Sequence, residues 1–189
     1  MKILMAKYKY NANTQITPHF NSNEFHCKCG RNHDIEISDK LVTKLEELFK
    51  KLNCGKIIIT SGYRCTQHDK TVGGSGNGQH TIGTAADIIC YDKKDKIIGS
   101  KTVCCAAQLL GFTGVANIDN TYTATHVDVR NSGVWYGDEV MGSNYSIGLS
   151  FFKYYNIDKS AFNYIYPDNR VKVTVEIDDH TYTGLLEEI

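Results

Sequence analysis

Gly73, Gly74, Gly76, Gly78 and Gly83 crowd the stretch between positions 73 and 83. No regular helix or strand holds at that density, because each glycine loses much backbone entropy on ordering and brings no side chain to pack. Two apolar runs flank the stretch, Lys56-Ile57-Ile58-Ile59-Thr60 before it and Ala85-Ala86-Asp87-Ile88-Ile89-Cys90 after it. Both have the length and composition of buried strands. The fold must therefore join two core strands through a long irregular loop whose backbone can come close to a ligand or a metal. His80 lies inside that loop and Asp87 near the start of the second strand. Such a loop can also cradle phosphate, but no lysine-serine or lysine-threonine pair follows it and no dinucleotide spacing is present, which sets that reading aside.

A second polar constellation lies downstream. Phe112 to Ile118 reads as a strand, Asp119-Asn120 as a turn, and Thr121 to Arg130 as the returning partner. Alternation puts His126, Asp128 and Arg130 on one face and Val127 and Val129 on the other, so the valines belong to the core and the polar row to a cleft. His80, Asp87 and His126 together make two imidazoles and one carboxylate. That is a three-ligand zinc set with a fourth position left for water, the catalytic rather than the closed structural arrangement. Zinc there would polarise a scissile carbonyl and bring the pKa of water down toward ~7. The spacing alone is a weak signal in a chain with seven histidines; a hydrogen-bonded histidine pair beside a capping aspartate would look the same.

The rest of the chain reads as follows. Residues 1 to 17 form an arm or short strand, and Asn21 or Ser22 caps a short helix favoured by Glu24. Cys27, Cys29 and His33 have the donors of a structural metal clip, but no fourth ligand stands at a standard spacing, and small buried cysteines are common. Ser38 starts the clearest helix, with Leu41, Val42, Leu45, Leu48, Phe49 and Leu52 on one face and Asn53 and Gly55 at its end. Ser61 to Arg64 then leaves the end of a strand as a loop, where a fixed Arg64 guanidinium could hold a substrate carboxylate by two contacts, or pair with a local acid. Gln79 either orients the loop or substrate or simply faces solvent. Ser100 to Leu110 is a second helix ended by Gly111. Residues 137 to 148 read as a linker, Phe151 to Tyr166 as an aromatic segment with a helix, and Pro167-Asp168-Asn169 as a turn. A terminal hairpin follows, built on the alternation of Val171, Val173, Val175 and Ile177. An isolated hairpin is marginal, so it must pack on something: as a lid or dimer element, or as a cell-wall-binding element.

Composition bounds the partners. Lys+Arg and Asp+Glu are equal at 21 each, which disfavours nucleic acid and an acidic membrane surface. The apolar stretch before Lys7 is too short for a signal-peptide core and no later run reaches membrane-spanning length, so the expectation is a chain cytoplasmic as synthesised, acting on a cell wall only after release. Seven cysteines cannot all pair, and a reducing compartment fits them. Oligomeric state is not legible.

The whole string sharpens the metal reading. SGYR at Ser61 to Arg64, HDKTVGG at His68 to Gly74, QHTIGTAADI at Gln79 to Ile88, and HVDVR at His126 to Arg130 followed by Trp135 resemble the M15 peptidases, the zinc D-Ala-D-Ala carboxypeptidases and phage endolysins, and within them the first subfamily. HFNSNEFHCKCG at His19 to Gly30 extends the likeness weakly upstream. The resemblance implies an α+β fold, with a small antiparallel sheet and flanking helices holding a zinc site (hedgehog/D-Ala-D-Ala peptidase-like) over residues 1–138. Residues 139–189 would then be a linker and a small C-terminal aromatic and β-hairpin element, the hairpin an appendage. It implies zinc on His80, Asp87 and His126, Arg64 toward substrate, and a peptidoglycan stem peptide as that substrate, with Gln79 a further candidate for substrate from its place beside His80.

This chain departs from the family pattern where the proton carrier belongs. Relatives place an acid three residues before the last histidine ligand or a histidine two before it; Thr123 and Ala124 stand there, and neither is a base. Gly78 stands where relatives commonly carry serine. Asp128 shares a face with His126, so it either relays a proton or orients a histidine; Asp119, Asp138 and Glu139 are the next acids in line. The expectation is a zinc peptidase of endolysin or carboxypeptidase type, and the alternative is a non-catalytic metal-containing wall-binding or structural module.

Overall fold

The computed structural model describes residues 4–142 and 144–160, and the backbone of strands 171–177 and 180–186. The chain divides into two units, Met1–Ile157 and Asp158–Ile189.

The first unit opens with four short strands, β1 (Met5–Tyr8), β2 (Gln15–Thr17), β3 (Phe20–Asn21) and β4 (Ile35–Ser38). β1 pairs antiparallel with β4, and β2 with β3. Helix α1 (Asp39–Lys51) follows directly. Ser38 caps it, its Oγ accepting from the Leu41 amide at 3.3 Å, with Asp39 in the first turn and Lys50 and Lys51 in the last, as the helix dipole favours. Leu41, Val42, Leu45 and Leu48 are buried, each worth about 1.5–3 kcal/mol over exposure. Asn53 ends the helix in a left-handed conformation at φ +48°, which asparagine tolerates better than most residues.

The remaining elements of this unit are β5 (Lys56–Ser61), α2 (Thr66–Thr71), β6 (Ala85–Tyr91), β7 (Ile97–Ile98), α3 (Ser100–Leu109), β8 (Gly114–Asn117), β9 (Thr125–Asp128), β10 (Trp135–Asp138) and α4 (Phe151–Tyr154). One sheet runs β10-β8-β9-β6-β5, with β7 also on β6. α3 packs on β8 and β9 and touches α1, burying Val103, Cys104, Cys105, Ala106 and Ala107 with Ile88, Val115, Val127 and Val129.

The fold is mixed α and β, with one correction to the expected antiparallel sheet: β10 lies parallel to β8. The reason is local. β9 returns antiparallel to β8, so it ends beside the place where β8 began. The chain need only pass that end to start β10 on the free edge, running the same way as β8. A parallel pair whose intervening strand makes the return trip does not need the long crossover that consecutive parallel strands require. α2 is a second difference, a short helix where only loop was expected.

The segment after position 138 belongs to this unit as far as Ile157. The Tyr155 hydroxyl donates to Asp138 at 3.0 Å, the Phe151 amide donates to Gln108 at 2.8 Å, and Phe151 is fully buried with its ring 5.1 Å from that of Tyr136. Through these anchors the aromatic segment, at its start, is part of the core of the first unit. In the second unit, β11 (Val171–Ile177) and β12 (His180–Leu186) pair antiparallel, Val171 opposite Leu186. The helix expected past residue 160 and the turn at Pro167 lie outside the described residues. Among the described residues, no helix is long and apolar enough to cross a membrane.

Candidate functional site

Strand register assembles the site. Asp87 on β6 stands directly opposite His126 on β9, and directly opposed residues on one face of an antiparallel pair have Cβ atoms about 4.5–5.5 Å apart. The row continues outward through Ser61 on β5, Ala116 on β8 and Gly137 on β10. Alanine and glycine leave that side of the row low, and the Trp135 ring lies over Gly137 and edge-on to the His126 ring at 6.4 Å. The register slips between Ile59 and Ser61, a bulge at the rim of the site such as commonly re-aims a side chain. Thr60 fixes it by donating its hydroxyl to the Asp87 carbonyl at 3.0 Å.

His80 arrives from the glycine-rich loop, on a 3-10 turn over Gln79–Ile82. Gly83 closes that turn at φ +68°, and any Cβ there would stand 1.9 Å from the Glu36 carbonyl oxygen. Only glycine lets the turn lie against β4, where the Ser38 amide donates to the Gly83 carbonyl at 2.9 Å. Gln79, expected to orient loop or substrate, accepts from the Thr84 hydroxyl at 2.8 Å and so ties the two ends of the turn together.

The three ligand atoms converge. His80 Nε2 lies 3.2 Å from Asp87 Oδ1 and 3.2 Å from His126 Nδ1, which is 2.9 Å from the same Asp87 oxygen. A tetrahedral ion with bonds of about 2.0–2.1 Å holds its ligand atoms roughly 3.3–3.4 Å apart, so this triangle fits zinc after an expansion of a few tenths of an ångström. The far nitrogen of each ring is committed elsewhere. His80 Nδ1 donates to the Gly62 carbonyl at 2.7 Å, and His126 Nε2 meets Asp128 Oδ2 at 3.2 Å. Those partners select the tautomers that leave His80 Nε2 and His126 Nδ1 with their lone pairs toward the common point.

Without a cation the same groups contest protons. Burial alone would raise the Asp87 carboxyl, but His126 and His80 hold it far below the usual carboxylate range. Burial would likewise lower His126, yet Asp128 and Asp87 push it up to about 9. A site that binds a proton so firmly between carboxylates is one that favours positive charge.

Arg64 and Asp128, the two residues in question for chemistry, both face a ligand. The Arg64 guanidinium is on Asp87 Oδ2, with Asp69 at 3.4 Å and Ser61 Oγ accepting from its Nε at 2.8 Å. Asp128 is fully buried behind the His126 ring. Its Oδ1 accepts from the Arg130 amide and Nε, both at 3.0 Å, and its Oδ2 also accepts from Arg130. There is room for it because Gly114 is its cross-strand neighbour; a Cβ on Gly114 would stand 2.0 Å from Asp128 Oδ2.

The other acids separate clearly. Asp119 accepts from Thr121, Thr123 and Ala124, so it shapes its own loop. Asp138 is fully buried and accepts from Asn117 and Tyr155. Glu139, on the turn leaving β10, is exposed as a residue. Surrounding atoms nevertheless partly desolvate its carboxyl and push its pKa up, with Asp87 adding to the rise and His126 and Arg64 opposing it. Of the three, it is the one whose charge feels the ligands. The sequence offered no signal for it beyond being an acid near Trp135.

A family model described as Peptidase M15 matches residues 18–128. No curated protein matches the chain by sequence. The matched span covers more than half of the chain and holds His80, Asp87, His126 and Asp128 in the arrangement just described; the chain belongs to the M15 peptidase family.

Proposed function

We propose that the chain is a zinc metallopeptidase that hydrolyses peptide bonds in peptidoglycan stem peptides, of endolysin or D-Ala-D-Ala carboxypeptidase type. The observation that carries the metal is the convergence of His80 Nε2, Asp87 Oδ1 and His126 Nδ1 within 3.2 Å of one another, each histidine locked in the tautomer a metal needs. The stem-peptide substrate rests on the SGYR, QHTIGTAADI and HVDVR strings.

Zinc in this site supplies Lewis-acid polarisation of the scissile carbonyl and an acidified water. The protein's own residues do the rest. Asp128 and the Gly62 carbonyl hold the two rings in orientation. Arg64 engages the second oxygen of Asp87, leaving Oδ1 to ligate, and is the cation beside the ligands that would meet a substrate carboxylate. Glu139, two residues past Gly137 in the row that holds His126, is the acid we assign to proton transfer: it would accept a proton from water and pass it to the leaving amine nitrogen, and its carboxyl is pushed up by partial desolvation.

The non-catalytic alternative draws on Thr123 and Ala124: Thr123 is tied to Asp119 at 2.8 Å and Ala124 carries no acid. Purified peptidoglycan distinguishes the two. Release of new amines that a chelator abolishes and added zinc restores is expected, and mass spectrometry of the muropeptides then identifies the bond. Binding to the wall without any amine release by the zinc-loaded protein would overturn the enzymatic reading.

A further inference from the structure

Apart from the site above, the described residues hold one more cluster of metal-ligating side chains. Cys27, Cys29, His33 and Cys65 each present a ligand atom, and the four atoms lie within 4.8 Å of one another. We propose that these four side chains bind a second, structural zinc ion.

Three observations carry it. The first is the donor set, three thiols and an imidazole, which is a closed structural zinc set with no position left for water. Tetrahedral zinc with bonds to sulfur of about 2.3 Å spaces its sulfurs roughly 3.8 Å apart and its sulfur and nitrogen ligands roughly 3.5 Å apart, so a cluster whose four atoms lie within 4.8 Å of one another reaches that geometry by small shifts. His33 Nε2 already meets Cys29 Sγ at 3.1 Å.

The second is the way backbone amides point at the sulfurs. The Cys65 amide is 3.3 Å from Cys27 Sγ, the Arg31 amide 3.4 Å from Cys29 Sγ, and the His68 amide 3.4 Å from Cys65 Sγ. Amides donating to sulfur offset negative charge, which thiolate ligands carry and neutral thiols do not. Gly30, at φ +75°, makes the turn that lets the Arg31 amide reach back to Cys29.

The third is what the segment lacks. From His26 to Asp34 there is neither helix nor strand, and Cys27 is the only buried residue. Nine residues with Cys27 as their one buried side chain, otherwise held by exposed polar contacts such as Asp34 with Lys9, have little to offset the entropy of ordering, about 1–2 kcal/mol per residue. A metal clip joining them to the loop after β5 adds to that hold. A disulfide would join two of these sulfurs and leave the third thiol and His33 without a purpose.

X-ray absorption on the full chain, purified under reducing conditions with zinc, tests the proposal without any substitution. Elemental analysis should give two zinc ions per chain, and the zinc edge should show sulfur scatterers at the thiolate distance. Cobalt in place of zinc should add a sulfur-to-cobalt charge-transfer band that persists in His80→Ala/His126→Ala and vanishes in Cys29→Ala/His33→Ala. Zinc surrounded only by nitrogen and oxygen in the wild-type chain would overturn the proposal. So would an intact mass, under denaturing non-reducing conditions, that shows a pair of these cysteines oxidised to a disulfide in the zinc-loaded protein.

Discussion

Asp128→Asn separates proton transfer from positioning more sharply than any other change in the site. The carboxylate makes five contacts: Oδ1 with the Arg130 amide and Nε, and Oδ2 with His126 Nε2 and with Nε and a terminal nitrogen of Arg130. An asparagine has one oxygen for these two sets of donors. With its oxygen toward the Arg130 amide, its NH2 faces His126 and stabilises the ring with the proton on Nδ1, the atom that must ligate. With its oxygen toward His126, its NH2 faces the Arg130 N–H groups, which lie 3.0 Å from Oδ1 in the parent. Either choice sets donor against donor in a place with no access to water. Loss of such an outer partner typically weakens metal binding about 10–100-fold, or roughly 1.4–2.7 kcal/mol, and the tautomer conflict puts this variant toward the upper end. Competition with a chelator of known strength measures the affinity, and turnover of a soluble stem peptide across a zinc titration measures the rate. Weaker affinity with full turnover at saturating zinc is expected. Unchanged affinity with turnover down ~100-fold at saturating zinc, the usual worth of a proton carrier, would refute the reasoning and make Asp128 the acid/base.

Glu139→Gln should show the opposite split, zinc affinity within about 2-fold of the parent but turnover lowered ~100-fold; equal turnover would remove Glu139 from the mechanism. The metal-free chain should lose stability as pH rises. His126 titrates near 9 when folded against about 6.5 unfolded, so its contribution is full below ~6.5 and is lost as pH climbs through ~9. Melting temperature across that range, with chelator and with zinc, checks it: the chelated protein should fall while the zinc-bound one, whose His126 must already be deprotonated, should not. Ending the chain after Ile157 should preserve the first unit and its metal, whereas ending it after Gly142 removes Phe151 and Tyr155 and should cost about 3–5 kcal/mol or more, on the scale of a core phenylalanine truncation. Circular dichroism melts of the two truncated chains decide, and equal stability would mean that Phe151 fills no essential space.

The candidate ligand set was read from the strings that resemble the M15 pattern, and local features agreed with it without singling it out. Asp87 and His126 sit in strands whose period-two pattern fixes which face they share, and His80 sits among glycines that forbid anything but a close-approaching loop. α1 was legible from local features alone, a cap, a period and a stop all within reach of one another in sequence. What period cannot supply is the partner. That β10 would pair parallel with β8 depends on which sheet edge is free, and that Asp128 would be saturated by Arg130 depends on rotamers. Cys65 was hidden by distance: it lies 38 residues from Cys27, outside any compact zinc-binding spacing, and only the fold brings the loop after β5 against the segment after Phe25. Phe151 was placed in an aromatic segment with a helix, as found, but its packing against Tyr136 was not visible, because aromatic residues without clear periodicity do not name their partners.

Both candidate centres depend on the five residues from Ser61 to Cys65. Ser61 accepts from Arg64, the Gly62 carbonyl receives the His80 Nδ1 proton, the Tyr63 amide donates to the Phe25 carbonyl at 2.8 Å, the Arg64 amide donates to the His80 carbonyl at 3.2 Å, and the Cys65 amide points at Cys27. These contacts reach several different segments, so the loop cannot shift toward one without leaving another. Gly62 cannot carry a side chain, since a Cβ there would stand 2.6 Å from the Phe25 Cα. The candidate catalytic ligands are thus held not only by the sheet beneath them but also by the backbone that the cysteine cluster ties down. An anchor of that kind suits a site whose geometry must hold within about half an ångström to work. It gives a physical reason for a chain with a small sheet to place its second cluster of metal-ligating side chains one residue from the arginine that contacts Asp87.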